Sequence, residues 1–300
     1  MIKLKKIVLF EENKMKFLVL GANGMAGHTI SLYLKEQGHE VLGLDRAPST
    51  LVPSVTADVF DTNNLYQIIK NGSFDTIINC IGVLNKDAEN NKAKAIFLNS
   101  YLPHFLADFT ADTSTQIIQM STDCVFAGRK NGEYTENEFR DGITYYDRTK
   151  ALGELEDGKN LTLRNSIVGP DINPNGMGLM NWFMKQQGSI NGFTAPLWSG
   201  QITLQLAKTM EIAAKEKAFG VINAVPECSI SKYDLLSLIN KHIRKDKIVI
   251  NPMMPAQTVS KSLKRTNYSF DYIIPDYETM IVDLASWLKE HKSLYPHYNI

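Results

Sequence analysis

The chain has 300 residues, 44% of them hydrophobic, and carries 32 Lys plus Arg against 32 Asp plus Glu, so its formal charge is zero. This composition supports a sizeable core, in one large domain or a large domain with a smaller lobe. It lacks the basic footprint of a nucleic-acid binder and holds no apolar run long enough to span a membrane. The three cysteines, Cys80, Cys124 and Cys228, are odd in number and widely spaced, which argues against a disulfide framework or a structural zinc site and suits a reducing cytoplasm.

Residues 1–14 read as an N-terminal extension, because their apolar run is too short for the core of a signal peptide. Residues 16–21 (KFLVLG) are a short apolar run ending in glycine, the pattern of a buried strand. A helix follows to about residue 37 and stops at Gly38. Further strands are expected at residues 40–45, 54–59, 76–82, 115–122 and 160–166, with helices at residues 61–70, 91–112 and 144–155. Alternation at this spacing implies βαβ units, hence a parallel sheet covered on both faces: a Rossmann-type doubly wound α/β fold. Ligands of such sheets bind beyond the carboxyl ends of the strands. After residue 168 the texture changes. Residues 169–203 are rich in Gly, Pro and Asn and read as loops with one helix. Later helices start at Ser231, with Asp234 in its first turn, and cover residues 277–288.

The segment GANGMAG places Gly21, Gly24 and Gly27, with Asn23 and Met25 between them, directly between the first strand and its helix. A tight turn that lets a pyrophosphate approach the backbone leaves no room for side chains, and the helix N-terminus presents unpaired N–H groups to the phosphates. The spacing is GxxGxxG rather than the commoner GxGxxG. Asp45 ends the next strand, where a carboxylate can accept from both hydroxyls of an adenosine ribose and repel a 2′-phosphate. That favours NAD(H). Arg46 beside it can pair with such a phosphate, which leaves NADP(H) open. The alternative for Asp45 is a turn or capping role. Asp58, followed by Val59, either meets the adenine amino group or caps the next helix. Residues 15–168 are thus expected to form an NAD(P)-binding domain and residues 169–300 mainly a substrate lobe interwoven with it.

YDRTK sets Tyr146 and Lys150 four apart on one face of a predicted helix. Reduction of a carbonyl needs a proton donor for the developing alkoxide. A tyrosine hydroxyl, with an ordinary pKa of about 10, is expected to be brought down by a neighbouring ammonium. Thr122 ends the preceding strand, where its hydroxyl can orient a carbonyl oxygen toward Tyr146. A solvent-facing pair is the default for an isolated YxxxK. Here the glycine loop, the Ser/Thr-ended strand and the pair occur in the order a reductase requires.

These residues, with NCIG (79–82), STDCVFAG (121–128) and LRNS (163–166), resemble the extended short-chain dehydrogenase/reductases, and within them the dTDP-4-dehydrorhamnose reductase-like sugar-nucleotide reductases. The resemblance runs from about residue 15 to about residue 290 and is strongest up to Ser166. It implies a Rossmann-type domain with a smaller C-terminal sugar-nucleotide lobe. It makes Thr122, Tyr146 and Lys150 the catalytic set, sets Asn79, Cys80, Ile81 and Gly82 beside the cofactor, and brings Ser121 near the nicotinamide. Asn99 takes a supporting role and Asn165 lies near the sugar. The implied reaction is hydride delivery from NAD(P)H to C4 of a 4-keto-6-deoxy sugar on a nucleoside diphosphate.

This chain departs from that pattern at two positions of the implied sugar pocket. Cys124 stands where several members carry Tyr, and Ile167 where they carry Trp, which opens UDP-linked as well as dTDP-linked substrates. In Thr122-Asp123-Cys124 the glutamate of the family's 4,6-dehydratases is missing, so dehydration is not expected. Cys124 matches in position a cysteine base of epimerase-reductases, but no histidine lies between His104 and His242 to act as its acid, and a pocket-lining thiol is the simpler role. Trp198 either packs against the nucleotide base or anchors the core. Lys261, Lys264 and Arg265 either meet the diphosphate or form a solvated face. His28 reads as a surface or packing residue, and the histidines show no metal-ligand spacing. The primary expectation is a nucleotide-sugar reductase with no metal, and a homodimer is the default assembly for this fold. An NAD-dependent epimerase and a non-catalytic NAD(P)-binding subunit are the alternatives.

Overall fold

The computed structural model describes residues 14–299, so residues 1–13 of the expected extension lie outside the described part. Strands β1 (Lys16–Leu20), β2 (Glu40–Asp45), β3 (Ser54–Thr56), β4 (Thr76–Asn79), β5 (Gln116–Ser121), β6 (Leu161–Arg164) and β11 (Gly220–Asn223) form one sheet. Its order is β3-β2-β1-β4-β5-β6-β11, and every pair is parallel. The chain reverses direction across the sheet between β1 and β4, which opens a crevice beyond their carboxyl ends. All four residues of β4 and of β6 are buried, as a strand covered on both faces requires.

Helix α1 (Met25–Glu36) connects β1 to β2, and α2 (Thr62–Gly72) connects β3 to β4. The third strand stops at Thr56, short of the expected residue 59. The helix expected over residues 91–112 is built in pieces. Helix α3 (Asn85–Asn90) is followed by α4 (Lys92–Ile96), a wide π turn at Phe97–Tyr101, and α5 (Leu102–Phe109). The π turn has a sequence cause. Pro103 has no N–H to return to the carbonyl of Asn99, so the ladder widens there.

After β6 come α6's successors in the second half: α7 (Leu179–Met184), α8 (Thr203–Lys215), α9 (Lys232–Ile239) and α10 (Tyr277–Glu290), where α6 is Tyr145–Leu152. Two features here were not expected. Strand β11 leaves the second half to become the outer strand of the main sheet. Strands β8 (Ser189–Phe193) and β13 (Val249–Met253) pair in parallel outside it, and the two-residue strands β7 (Ile167–Val168), β9 (Leu197–Trp198), β10 (Gln201–Ile202) and β12 (Ile230–Ser231) form two further pairs, β7 with β10 and β9 with β12. These strands are too short and too polar to show a clear period.

Helix α8 lies against α1 in one hydrophobic cluster that includes Ile30, Leu34, Leu206, Met210, Ala214 and Leu284. A polar tie reinforces the contact. Glu211 Oε1 accepts from His39 Nε2 at 3.0 Å and Lys215 Nζ at 2.5 Å, and Oε2 accepts from Tyr33 OH at 2.7 Å. His39 Nδ1 accepts from Met15 N at 3.1 Å, which leaves Nε2 as the donor. Burial alone would raise the Glu211 carboxyl; these donors override it and hold the pKa at about 2. A depressed carboxylate stabilises the fold above its ordinary range, and this contribution disappears as pH falls through the folded value. Glu211→Gln is therefore expected to cost about 2 kcal/mol at neutral pH. In thermal melts its deficit should shrink as pH drops from about 5 to about 2; a deficit that stays constant across that window would contradict the assignment.

Candidate active site

The glycine turn leaves β1 with Gly21 at φ 77°. Gly21 N donates to Leu44 O at 2.8 Å, and Gly24 N to Gly21 O at 3.0 Å. A Cβ on Gly27 would stand 2.0 Å from Gly21 O, so the first turn of α1 packs directly on the loop backbone. Gly24 caps α1 without a side-chain bond, and its first turn holds no acidic residue. The N–H groups of that turn are thus open to an anion.

Asp45 braces the same loop. Its Oδ2 accepts from Asn23 N at 3.0 Å and its Oδ1 from Arg46 N at 2.7 Å, while Asn23 Nδ2 donates to Ala47 O at 2.9 Å. Arg46 is exposed, and Met25 is half-buried at the start of α1. Asp58 is exposed and accepts from Phe60 N at 3.0 Å. It does not cap α2; Asp61 does, accepting from Asn64 N at 3.1 Å. Val59 is buried.

The segment after β4 runs against the glycine turn. A Cβ on Gly21 would meet Ile81 Cγ1 at 3.2 Å and the Cys80 carbonyl carbon at 3.5 Å. Asn79 holds this segment by accepting from Ile81 N at 3.1 Å and donating to Gln119 Oε1 at 2.8 Å. Asn99, inside the π turn, accepts from Val83 N at 2.8 Å and donates to Val83 O at 2.9 Å and Thr149 Oγ1 at 3.1 Å. It therefore ties the segment after Gly82 to α6. Gly153 is equally constrained, since a Cβ there would lie 1.8 Å from Asn99 O.

Helix α6 begins in a capping box between Thr144 and Asp147. It turns Tyr146 and Lys150 inward, 8% and 6% exposed, beside Thr122 at 6%. The hydroxyl, phenol and ammonium that the sequence singles out are brought together at the carboxyl end of β5. The expected electrostatics differ. Burial raises the Tyr146 phenol above its ordinary value, and a hydrogen bond with Thr122 opposes that rise. Lys150 does not bring the phenol down: its Nζ donates to Met120 O at 2.5 Å. Burial lowers the Lys150 pKa to about 8, opposed by Glu154 and Cys80. Desolvation outweighs the neighbouring charge for both groups.

Thr122 Oγ1 donates to Asp123 Oδ1 at 3.0 Å and accepts from Cys124 N at 3.1 Å. Burial raises the Asp123 carboxyl. Burial, with Asp123 beside it, pushes the Cys124 thiol up to about 12. Lys261 reaches this cluster from the second half, 3.7 Å from Asp147 Oδ2. Lys264 instead lies 4.0 Å from Glu133. Arg265 is spent on the carbonyls of Asn267, Phe270 and Tyr272. Asn165 is 3% exposed and neither atom of its amide has a partner within the protein. Such a group awaits a ligand or water. Trp198 is half-buried against Tyr277, ring centroids 5.7 Å apart, and accepts at its carbonyl from Tyr277 OH at 3.1 Å. The structure thus gives Trp198 an anchoring contact. His28 is fully buried, with Nδ1 on Gly24 O and Nε2 on Tyr295 OH, both at 2.9 Å.

Ser121 is not free to face a ligand with its hydroxyl, which donates to Glu154 Oε1 at 2.6 Å. Glu154 in turn takes a two-point contact from buried Arg164. The sequence pattern did not single out either residue as functional. The available signal was their type: an acid four residues after Lys150 and an arginine inside an apolar strand, both unlikely to be buried unpaired. Among the described residues no group of three or more His, Cys, Asp and Glu is arranged to hold a metal, and no helix is long and apolar enough to cross a membrane.

A parallel doubly wound sheet with a glycine turn at its first strand defines a Rossmann-type α/β protein, and a buried Thr–Tyr–Lys set lies beyond its fifth strand. Residues 15–295 match the RmlD substrate binding domain family, and the chain belongs to that family. It is 27% identical over 259 residues to a dTDP-4-dehydrorhamnose reductase of Aggregatibacter actinomycetemcomitans, covering 82% of this chain and 85% of that one. It is 34% identical over 139 residues to a probable low-salt glycan biosynthesis reductase, Agl14, of Haloferax volcanii; that match spans about half of each, 45% of this chain and 46% of the relative. Its fold superposes on the Bacillus anthracis dTDP-4-dehydrorhamnose reductase in complex with NADP with a TM-score of 0.76 at 18% identity, over 90% of this chain and 98% of that one.

Asn99 serves three partners from one buried amide. Asn99→Ala should leave the Val83 N–H and C=O unpaired and lower the unfolding free energy by about 2 kcal/mol, read from denaturant midpoints. A midpoint equal to wild type would show that water replaces the amide.

Proposed function

We propose that this chain is an NAD(P)H-dependent reductase of a nucleoside-diphosphate 4-keto-6-deoxy sugar, dTDP- or UDP-linked. The observation that carries the reading is the joint burial of Thr122, Tyr146 and Lys150 at the strand end that faces the glycine turn. Family membership supports it, as do relatives named as dTDP-4-dehydrorhamnose reductases.

The cradle at Gly21, Gly24 and Gly27, where Gly21 holds a positive φ and a Cβ on Gly27 would strike the Gly21 carbonyl, fits a pyrophosphate on the first turn of α1. Asn23, Met25, Asp45, Arg46, Asp58 and Val59 would line the adenosine side, and Cys80, Ile81, Gly82 and Ser121 the path toward the nicotinamide. The Asp45 carboxylate at the end of β2 favours NAD(H) over NADP(H). When bound, the reduced nicotinamide supplies the hydride for C4. The protein supplies the proton. Tyr146, held protonated by burial, is in the form that donates to a developing alkoxide. Thr122 orients the carbonyl oxygen toward it. Lys150 adds positive charge to the same pocket and can hold the nicotinamide ribose. Asn165, with its open amide, and Asp123 and Cys124 beside Thr122, would contact the sugar. A thiol pushed up to about 12 is a poor base near neutral pH, so the epimerase alternative has no support at Cys124.

The test is oxidation of NADH or NADPH by a panel of dTDP- and UDP-linked 4-keto-6-deoxy sugars. Turnover is expected with at least one, and Tyr146→Phe should lower kcat by roughly 10²–10⁴-fold. No turnover across the panel, with cofactor still bound, would overturn the substrate class. Lys150 is cationic below a pKa of about 8. Activity that depends on the ammonium should therefore decline as pH rises through about 8, and a rate flat to pH 10 would exclude that dependence. Asp45→Ala should shift the NADH-to-NADPH preference toward NADPH by roughly tenfold, read as a ratio of kcat/KM values.

A further inference from the structure

Behind the Tyr146–Lys150 face lies a charged cluster that the proposed reaction does not yet use. Glu154 follows α6 four residues after Lys150, and its side chain has no solvent exposure. Four bonds fix its carboxylate. Ser121 Oγ donates to Oε1 at 2.6 Å, Arg164 Nε and Nη2 donate to Oε1 and Oε2 at 2.8 and 2.7 Å, and Arg140 Nη1 donates to Oε2 at 2.8 Å. Arg164 is itself 1% exposed and is held from its other side by Glu136 O, 2.9 Å from Nη1. Burial would raise the Glu154 carboxyl, but the Arg164 fork, Ser121 and Arg140 override it and keep it below its usual range. It is a permanent anion in a fixed place.

Lys150 needs such an anion. Its ammonium is buried and its direct partner is a neutral carbonyl, that of Met120 on β5. A buried ammonium with no counter-charge gives up its proton. The groups that act on it are few. Glu154 comes from its own segment, its carboxylate anchored on Ser121, the residue next to the Met120 carbonyl that Lys150 bonds, and Cys80 comes from the end of β4. Arg164 on β6 and Arg140 stand behind Glu154 and do not touch Lys150 in any hydrogen bond of the described residues. Tyr146 is held protonated, and the Cys80 thiol is pushed up to about 12 by burial. Glu154 is therefore the one fixed anion among them.

We propose that Glu154 is the positioning residue of this site: it pins Ser121 at the end of β5 and supplies the negative charge that keeps Lys150 an ammonium. The inference deepens the reductase reading and rests on it only for its catalytic consequence. The Arg164 fork gives the carboxylate its place, and without it the acid would accept a proton in so buried a setting. A purely structural role, in which Glu154 merely neutralises Arg164, predicts no effect on Lys150.

The experiment follows the Nζ signal of Lys150 against pH by NMR of the full chain labelled with ¹⁵N-lysine, assigned with Lys150→Arg. Two variants are compared. Glu154→Gln keeps the shape of the side chain. The double variant Glu154→Met with Arg164→Met removes both charges, so no buried arginine is left unpaired and folding is protected. Folding is checked by thermal melts. In both variants the Lys150 midpoint is expected to fall on the order of one pH unit below that of the wild type. The alkaline limb of kcat should move the same way, with the KM for the sugar little changed. An unchanged midpoint in a folded double variant would overturn the proposal. A lowered midpoint in a protein that reduces none of the sugars tested would support the role of Glu154 while sinking the reductase reading, so the two failures are distinguishable.

Discussion

Seven strands running in one direction gather their carboxyl ends along a single edge, and that constraint organises everything else. Each crossover must return over a face of the sheet, so each loop that follows a strand opens on the same side. The reversal of strand order between β1 and β4 then splits this edge into a crevice. The glycine turn after β1, the Asn79–Gly82 segment after β4 and Thr122 after β5 are neighbours because the sheet leaves them no other arrangement. Residues 100 positions apart converge without any dedicated device to draw them together.

The cost of this convergence is burial of polar groups. Asn79, Asn99, Ser121, Thr122, Lys150, Glu154 and Arg164 are all buried near the edge. Nearly all of their polar atoms find partners, which is the condition for such a cluster to be rigid rather than destabilising. Asn165 breaks the pattern: both polar atoms of its buried amide lack a partner within the protein. The same low-dielectric surroundings move Tyr146 and Lys150 toward their neutral forms, so charge at this site is set by what surrounds each group rather than by the pair acting on itself.

Much of the first half was legible in the sequence. Short apolar runs ending in glycine or a hydroxyl residue gave β1, β4 and β5 and put the chemistry at their ends. The stop at Gly38 bounded α1, and the 3.6-residue period located α10. What was not legible depends on long-range pairing. Strand β11 is four residues with no strong period, and only the open edge of β6 makes it a strand. The break at Asn99 was in principle readable from Pro103, but the helical period ran through it. At the site, a hydroxyl residue at a strand end located Thr122, and the four-residue spacing on one helix face located Tyr146 and Lys150. The sign of the tyrosine shift was missed, because spacing along a helix reports proximity and not desolvation. Glu154 was missed for a related reason: it lies past the end of α6, where helical spacing no longer says where a side chain points.

The contact between His28 and Tyr295 spans 267 positions of sequence. His28 sits on the first helical turn after the glycine loop, with its other ring nitrogen on Gly24 O. A chain emerging from the ribosome would therefore finish β1, the glycine loop and α1 long before the group that clamps them exists. Strand β11, which closes the sheet, and α8, which covers α1, also arrive late. The first half must wait, partly formed, for nearly the whole polypeptide, and its apolar α1 face stays open in the meantime. Order of synthesis and order of completion are thus uncoupled.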